Sequence, residues 1–252
     1  MHPMLPLLLA ALCPPQQLPA VRFQPGEALV YKLDVAGLLA DIGTFEVRVE
    51  SPPAAEKRAS VQLTSRAKTK GFVATNVGRY DVYATALIAR DLAPLRYRED
   101  VDENEVHYAA ELVFPAQDGK LAVKATKNGE PVPYTLDADS GVRDVLSTLF
   151  LLRSMPVDQP ACLEVFAGRK IWKVTGKMGA KETIDTPVGR FVTRRFDGEA
   201  VRSDDPTIKR PALIWVTDDE RRLPLVGIVE VRGKTVRAQL VTAPGIRRAA
   251  RK

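Results

Sequence analysis

Histidine, cysteine and aromatic residues are scarce in this chain, and each shortage closes off a class of chemistry. Two histidines and two cysteines occur among 252 residues. His2 and Cys13 fall in an apolar leader, which leaves His107 and Cys162 for the body. No Cys-x-x-Cys pair and no Cys/His cluster exists, so a structural zinc site is excluded. No other metal site and no cofactor is expected. His107 has neither a G-x-S-x-G elbow nor an H-E-x-x-H pair beside it, and a serine or cysteine nucleophile needs a base. It reads as a structural or exposed residue on an alternating strand. No run of about 18 apolar residues is present, so no spanning helix is expected.

Acidic surplus is absent too, since the formal net charge is +6. That excess does not describe a nucleic-acid binder, whose basic residues gather on a folded face among aromatics. Four of the basic residues, Arg247, Arg248, Arg251 and Lys252, lie in the last eight positions with no acid among them. The reading is a solvated basic tail over residues 244–252.

The first twenty residues hold no Lys, Arg, Asp or Glu. Leu5 to Cys13 is an apolar run of signal-peptide length, broken by Pro14 and Pro15, with Ala20 at a small-residue cleavage point. Residues 1–20 therefore read as a signal peptide, although Met1 to Met4 lacks the usual basic residue. Leu9 to Cys13 also approaches a lipobox, but Leu12 stands where Gly, Ala or Ser is usual. Cleavage after Ala20 and lipidation of Cys13 are the alternatives, cleavage the favoured one. If the leader is cleaved, one cysteine remains and no disulfide within the body is expected.

Residues 21–243 show short runs of period-two alternation separated by turn residues, the pattern of an antiparallel β protein. Phe45, Val47 and Val49 alternating with Glu46, Arg48 and Glu50 are the cleanest case. Asn128-Gly129, between Leu121–Lys127 and Glu130–Leu136, predicts a two-residue hairpin, because both residues tolerate positive φ. Gly168-Arg169 and Arg232-Gly233-Lys234 read as further turns, and Lys170–Thr175 and Lys181–Thr186 as two separate strands. One stretch departs from this pattern. Val142, Val145, Leu146, Leu149, Phe150 and Leu152 fall at helical spacing between Gly141 and Arg153, with Asp139 or Ser140 as N-cap and Pro156 as stop. The expected architecture is mainly β: one curved antiparallel sheet or half-barrel of about a dozen strands, with an amphipathic helix packed across it.

Motifs with chemical potential have stronger structural readings. Gly233-Lys234-Thr235 lacks the earlier glycine of a phosphate loop and lies between strands. Asp100, Asp102, Asn104 and Glu111 match positions 1, 3, 5 and 12 of a calcium loop, but Glu105 replaces the glycine and the flanks are strands. Asp137 with Asp139, and Asp218-Asp219-Glu220, are the densest carboxylates, sited where capping and turns explain them.

Phe23-Gln24-Pro25-Gly26-Glu27 with Tyr31, Asp144-Val145-Leu146-Ser147 running on to Leu152-Arg153, Thr186-Pro187-Val188-Gly189-Arg190-Phe191, and Ile214-Trp215-Val216-Thr217-Asp218 with Arg221-Arg222-Leu223-Pro224 recur in that order along the chain. Together they resemble the domain of unknown function 3108 family, found in exported proteins of Gram-negative bacteria. The resemblance implies export and a single curved β domain, and brings no reaction or catalytic residues. Structural roles follow for these residues: Gly189 for a tight turn, Asp218 bonding backbone amides or Arg222, Pro224 opening a strand, and Trp215 anchoring the core with its N–H at the wetter end.

The leading functional reading is a non-catalytic periplasmic or outer-membrane-associated protein that binds a lipid, acyl chain, lipoprotein or other apolar ligand in a concave sheet, with the helix as lid. An envelope scaffold with protein partners is the alternative. A hydrolase of envelope polymers using paired carboxylates comes third. No catalytic, cofactor or metal residue is nominated, and the ligand-binding residues are left open.

Overall fold

The computed structural model describes residues 26–76, 78–231 and 233–245. Alternation governs it: strands make up 66% of the described residues and helices 6%. In chain order the strands are β1 (Ala28–Val35), β2 (Leu39–Glu50), β3 (Val61–Thr69), β4 (Tyr80–Ile88), β5 (Pro94–Glu103), β6 (Val106–Val113), β7 (Lys120–Lys127), β8 (Glu130–Pro131), β9 (Tyr134–Asp137) and β10 (Arg143–Asp144). After them come β11 (Pro160–Ala167), β12 (Lys170–Thr186), β13 (Gly189–Arg202), β14 (Asp205–Thr217), β15 (Pro224–Val231) and β16 (Lys234–Thr242). Helix α1 (Gly71–Asn76) links β3 to β4, and α2 (Val145–Leu152) follows β10.

All the strands join one open sheet, ordered β10-β11-β12-β13-β14-β15-β16-β1-β2-β3-β4-β5-β6-β7-β8, with β9 also on β7. Neighbouring strands are antiparallel except β10 and β11. The expected half-barrel is there, with sixteen strands rather than a dozen. The two-residue edge strands β8 and β10 account for part of the difference, being too short to alternate. In the other direction, Lys170–Thr175 and Lys181–Thr186 form one strand, β12, whose register shifts between Met178 and Lys181. That bulge carries the chain through the glycine-rich stretch that looked like a break.

Turn chemistry follows the sequence. Asn128 and Gly129 have φ of 51° and 86° between the paired residues Lys127 and Glu130. Gly233 (φ 69°) precedes Lys234, which pairs with Val231, so the phosphate-loop look-alike is a hairpin.

The helix is shorter than the spacing predicts, and its cap differs. Asp144, not Asp139 or Ser140, is the N-cap: its Oδ1 accepts from the N–H groups of Leu146 (2.9 Å) and Ser147 (2.8 Å). Arg143 and Asp144 are held extended by their ladder with β11, so the first turn cannot start sooner. Helix α2 packs across the sheet, with Val145 exposed and Leu149 half-buried on its outer side. Leu146, Ser147, Thr148, Phe150, Leu151 and Leu152 are all buried against β3, β4, β10 and β11. It is a plug in the core, where the sequence suggests a lid over a chamber.

Candidate functional site

Residues singled out by sequence scatter over the surface or serve the fold. Asp102 and His107 face each other across the β5–β6 hairpin, with His107 Nδ1 2.8 Å from Asp102 Oδ1 in solvent. Asn104 (φ 55°) makes the turn, and its Oδ1 accepts from the Arg79 N–H. Asp100 lies opposite Ala109, and Glu111 opposite Arg98. The calcium template is therefore stretched along a flat ladder and never closes. No group of three or more His, Cys, Asp or Glu among the described residues could hold a metal.

Asp137 pairs with Lys120, whereas the Asp139 N–H donates to Glu164 Oε2 (2.7 Å). Asp218 binds Lys181 and Arg194, each at 2.6 Å, which holds its carboxyl below the usual range. It does not bond Arg222. Asp219 fills the turn role instead, accepting from the N–H groups of Arg221 and Arg222 and from Thr217 Oγ1. Trp215 is half-buried with its N–H on Glu182 Oε1 (2.8 Å).

Three of the four ordered motifs converge on one buried ion pair, while Thr186–Phe191 forms the β12–β13 turn. Arg153, just past α2, donates to Glu27 Oε1 at 2.6 Å, with both side chains at most 3% exposed. Arg153 also donates to the carbonyls of Arg221 and Arg222, and Arg222 to the carbonyl of Met155. The Tyr31 hydroxyl donates to the Pro224 carbonyl (2.9 Å), and burial pushes its pKa up. Glu27, Tyr31, Arg153 and the Arg221–Pro224 turn thus form one network that ties β1 to α2 and to the β14–β15 turn.

A second cluster escaped the sequence reading. Tyr97 and Glu99 alternate onto the inner face of β5, and the Tyr97 hydroxyl donates to Glu99 Oε2 (3.0 Å). Glu99 is 7% exposed, and burial raises its carboxyl above the ordinary range. Its partners across the ladder are Ala84 and Ala110, followed outward by Ser65 and Ala125, a row of small side chains. The Tyr108 hydroxyl donates to that of Tyr134 (3.1 Å), and the Arg169 guanidinium stacks 4.8 Å above the Tyr108 ring. Asp144, fully buried with Oδ2 unpartnered, also acts electrostatically on Tyr97, and burial raises its carboxyl as well. One signal pointed here. Glu99 occupies an apolar slot between Tyr97 and Val101, where alternation asks for a hydrophobe.

These observations define a rolled, open antiparallel β domain plugged by a short helix. The chain belongs to the family described as Protein of unknown function (DUF3108), whose sequence model matches residues 30–241. No curated protein matches it. Among solved structures, a β-barrel-like protein of domain of unknown function DUF1849 from Brucella abortus has a TM-score of 0.59 at 12% identity, covering 90% of this chain and 100% of that one. That likeness shows the fold alone. A Bacteroides fragilis protein with a YmcC-like fold gives a TM-score of 0.37 at 9% identity, over 90% of this chain and 99% of its own.

Proposed function

We propose that the chain is an exported component of the cell envelope that binds without catalysis, holding a lipid or other apolar ligand along the inner face of its open sheet. One observation carries this reading. Phe45, Ala67, Val82 and Val101 are register partners across four strands, so they form an apolar strip that ends at Tyr108 on β6. Each member of the strip is only partly buried. Next to it, Val47, Ala84, Glu99 and Ala110 are buried. Full burial therefore stops one row short, and apolar area remains for a ligand to remove from water, at about 25 cal/mol per Å².

The ligand lies on a face rather than in a chamber, because Phe150, Phe166, Leu151 and Leu63 fill the space around α2. Export rests on the leader and on the family resemblance. The hydrolase reading is the least supported, since the inner carboxyl of Asp144 is committed to capping α2.

Native mass spectrometry of the exported chain, followed by solvent extraction and lipid analysis, tests the proposal. A reproducible amphiphile adduct is expected, and it should be lost on Val82→Asp. A wild-type chain that takes up no amphiphile even when vesicles are supplied contradicts it.

The envelope-scaffold alternative has its own observation. Leu38, after β1, and Phe72, on α1, are each 68% exposed. Photo-crosslinking from position 72 in cells is the matching measurement, and the scaffold reading requires one defined protein adduct.

A further inference from the structure

We propose that Glu99, walled by Tyr97 and Tyr108, is the subsite for a primary ammonium group on that ligand, and that Arg169 holds the subsite in the free chain. The inference rests on the apolar-strip reading and names the chemistry at one end of the strip. Val101, the last aliphatic residue of the strip, pairs with Tyr108 and is two residues from Glu99 on the same face. An apolar chain lying on the strip thus brings its head to the carboxylate.

Three features make the place selective for a cation. First, Glu99 is a buried carboxyl whose hydrogen bond comes from a neutral phenol, with no ion pair to it among the described residues. Burying such a group is costly until a counter-charge joins it. Second, alanines flank it on both neighbouring strands, so its register partners present nothing larger than a methyl group. Third, the chain already places a cation there. Arg169 stacks on the Tyr108 ring and acts electrostatically on Glu99, which is the attraction a ligand ammonium would have for the same two groups.

The backbone says that Arg169 is there for its side chain. Gly168 and Arg169 have φ of 57° and 67° in the two-residue turn between Ala167 and Lys170. The equivalent second position in the β7–β8 turn is Gly129, the residue type such a turn favours. Arginine in that conformation is strained, and strain of this kind persists where surrounding contacts hold it. The contact across to Tyr108 on β6 supplies the hold, and β6 is not bonded to this hairpin by any ladder. A ligand that takes over Tyr108 and Glu99 therefore displaces a strained residue from the subsite.

The test uses n-octylammonium and n-octanoate as matched probes, titrated calorimetrically into the full chain, Arg169→Gly, and Arg169→Gly with Glu99→Gln. Glycine adopts this φ freely, so the turn survives the first substitution. Octylammonium is expected to bind Arg169→Gly about tenfold more tightly than wild type, octanoate to gain nothing, and Glu99→Gln to erase the gain. Melting temperatures check that each variant is folded. Should the double variant not fold, the preference of Arg169→Gly for octylammonium over octanoate decides. Equal binding of the two probes, or a gain that survives Glu99→Gln, overturns the ammonium subsite and leaves the apolar strip standing. Binding of neither probe overturns both.

Discussion

Arg153 shows how one side chain can serve several parts of this fold. Its guanidinium meets Glu27 at the start of the sheet and two carbonyls of the β14–β15 turn, and it lies 5.0 Å over the Phe150 ring of α2. Removing it leaves a buried carboxylate alone, so Arg153→Ala should cost about 3–5 kcal/mol in urea unfolding. A loss below about 1 kcal/mol would mean that water reaches Glu27 readily. Asp144 separates capping from charge. Asp144→Asn keeps an oxygen for the Leu146 and Ser147 amides and removes a buried charge, so it should hold wild-type stability. Asp144→Ala should lose about 1–2 kcal/mol. Glu99 gives a pH signature. Its raised carboxyl keeps its proton longer when folded than unfolded, so stability falls as pH rises through the window between those two values. Glu99→Gln has no such proton to lose, and thermal scans from about pH 4 to pH 8 should show its melting temperature gaining on wild type across that window. A gap independent of pH contradicts the assignment.

Strands of this protein are legible where one face is apolar and the other charged. Phe45, Val47 and Val49 on β2 alternate with Glu46, Arg48 and Glu50, and both the strand and its facing follow at once. Legibility ends in the middle of β12, where Gly176, Lys177, Gly179 and Ala180 offer no alternation. The reason is across the ladder: Gly176 pairs with Gly198, and the Phe196 ring lies over both. A Cβ on Gly198 would come 2.4 Å from that ring and one on Gly176 2.7 Å. Aromatic cover of paired glycines is a long-range arrangement that no local pattern announces. Gly198→Ala should therefore destabilise by about 1–3 kcal/mol, as overpacking does, and Phe196→Leu in that background should recover part of the loss. Helix α2 was legible as helix and illegible as plug, because a largely buried helix and an amphipathic one differ mainly in what surrounds Ser147 and Thr148. Their hydroxyls donate to the Asp144 carbonyl, which lets polar residues sit in the core.

Across the whole molecule, the sheet never closes by hydrogen bonding, yet its two ends meet. Tyr97 on β5 packs edge-on to Phe166 on β11, with ring centres 6.1 Å apart, and Arg143 donates to the Leu92 carbonyl. Side chains rather than a ladder close this seam, and the Tyr97–Glu99–Arg169 cluster lies along it. Sequence reading reached the sheet and the motif order but not the cluster, since Tyr97, Tyr108, Tyr134 and Arg169 come from separate elements that only the rolling of the sheet brings together. Three of the motifs that were legible, by contrast, proved to meet around Glu27 and Arg153. The structure thus divides between a buried ion-pair network that ties β1, α2 and the β14–β15 turn together and a sheet face with apolar area still uncovered. That division is the central claim, and native mass spectrometry of the exported chain beside Val82→Asp tests it most directly. The account predicts an extractable amphiphile on the wild-type chain and none on the variant, with both equally folded. An identical, ligand-free mass for the two chains after incubation with vesicles would contradict it.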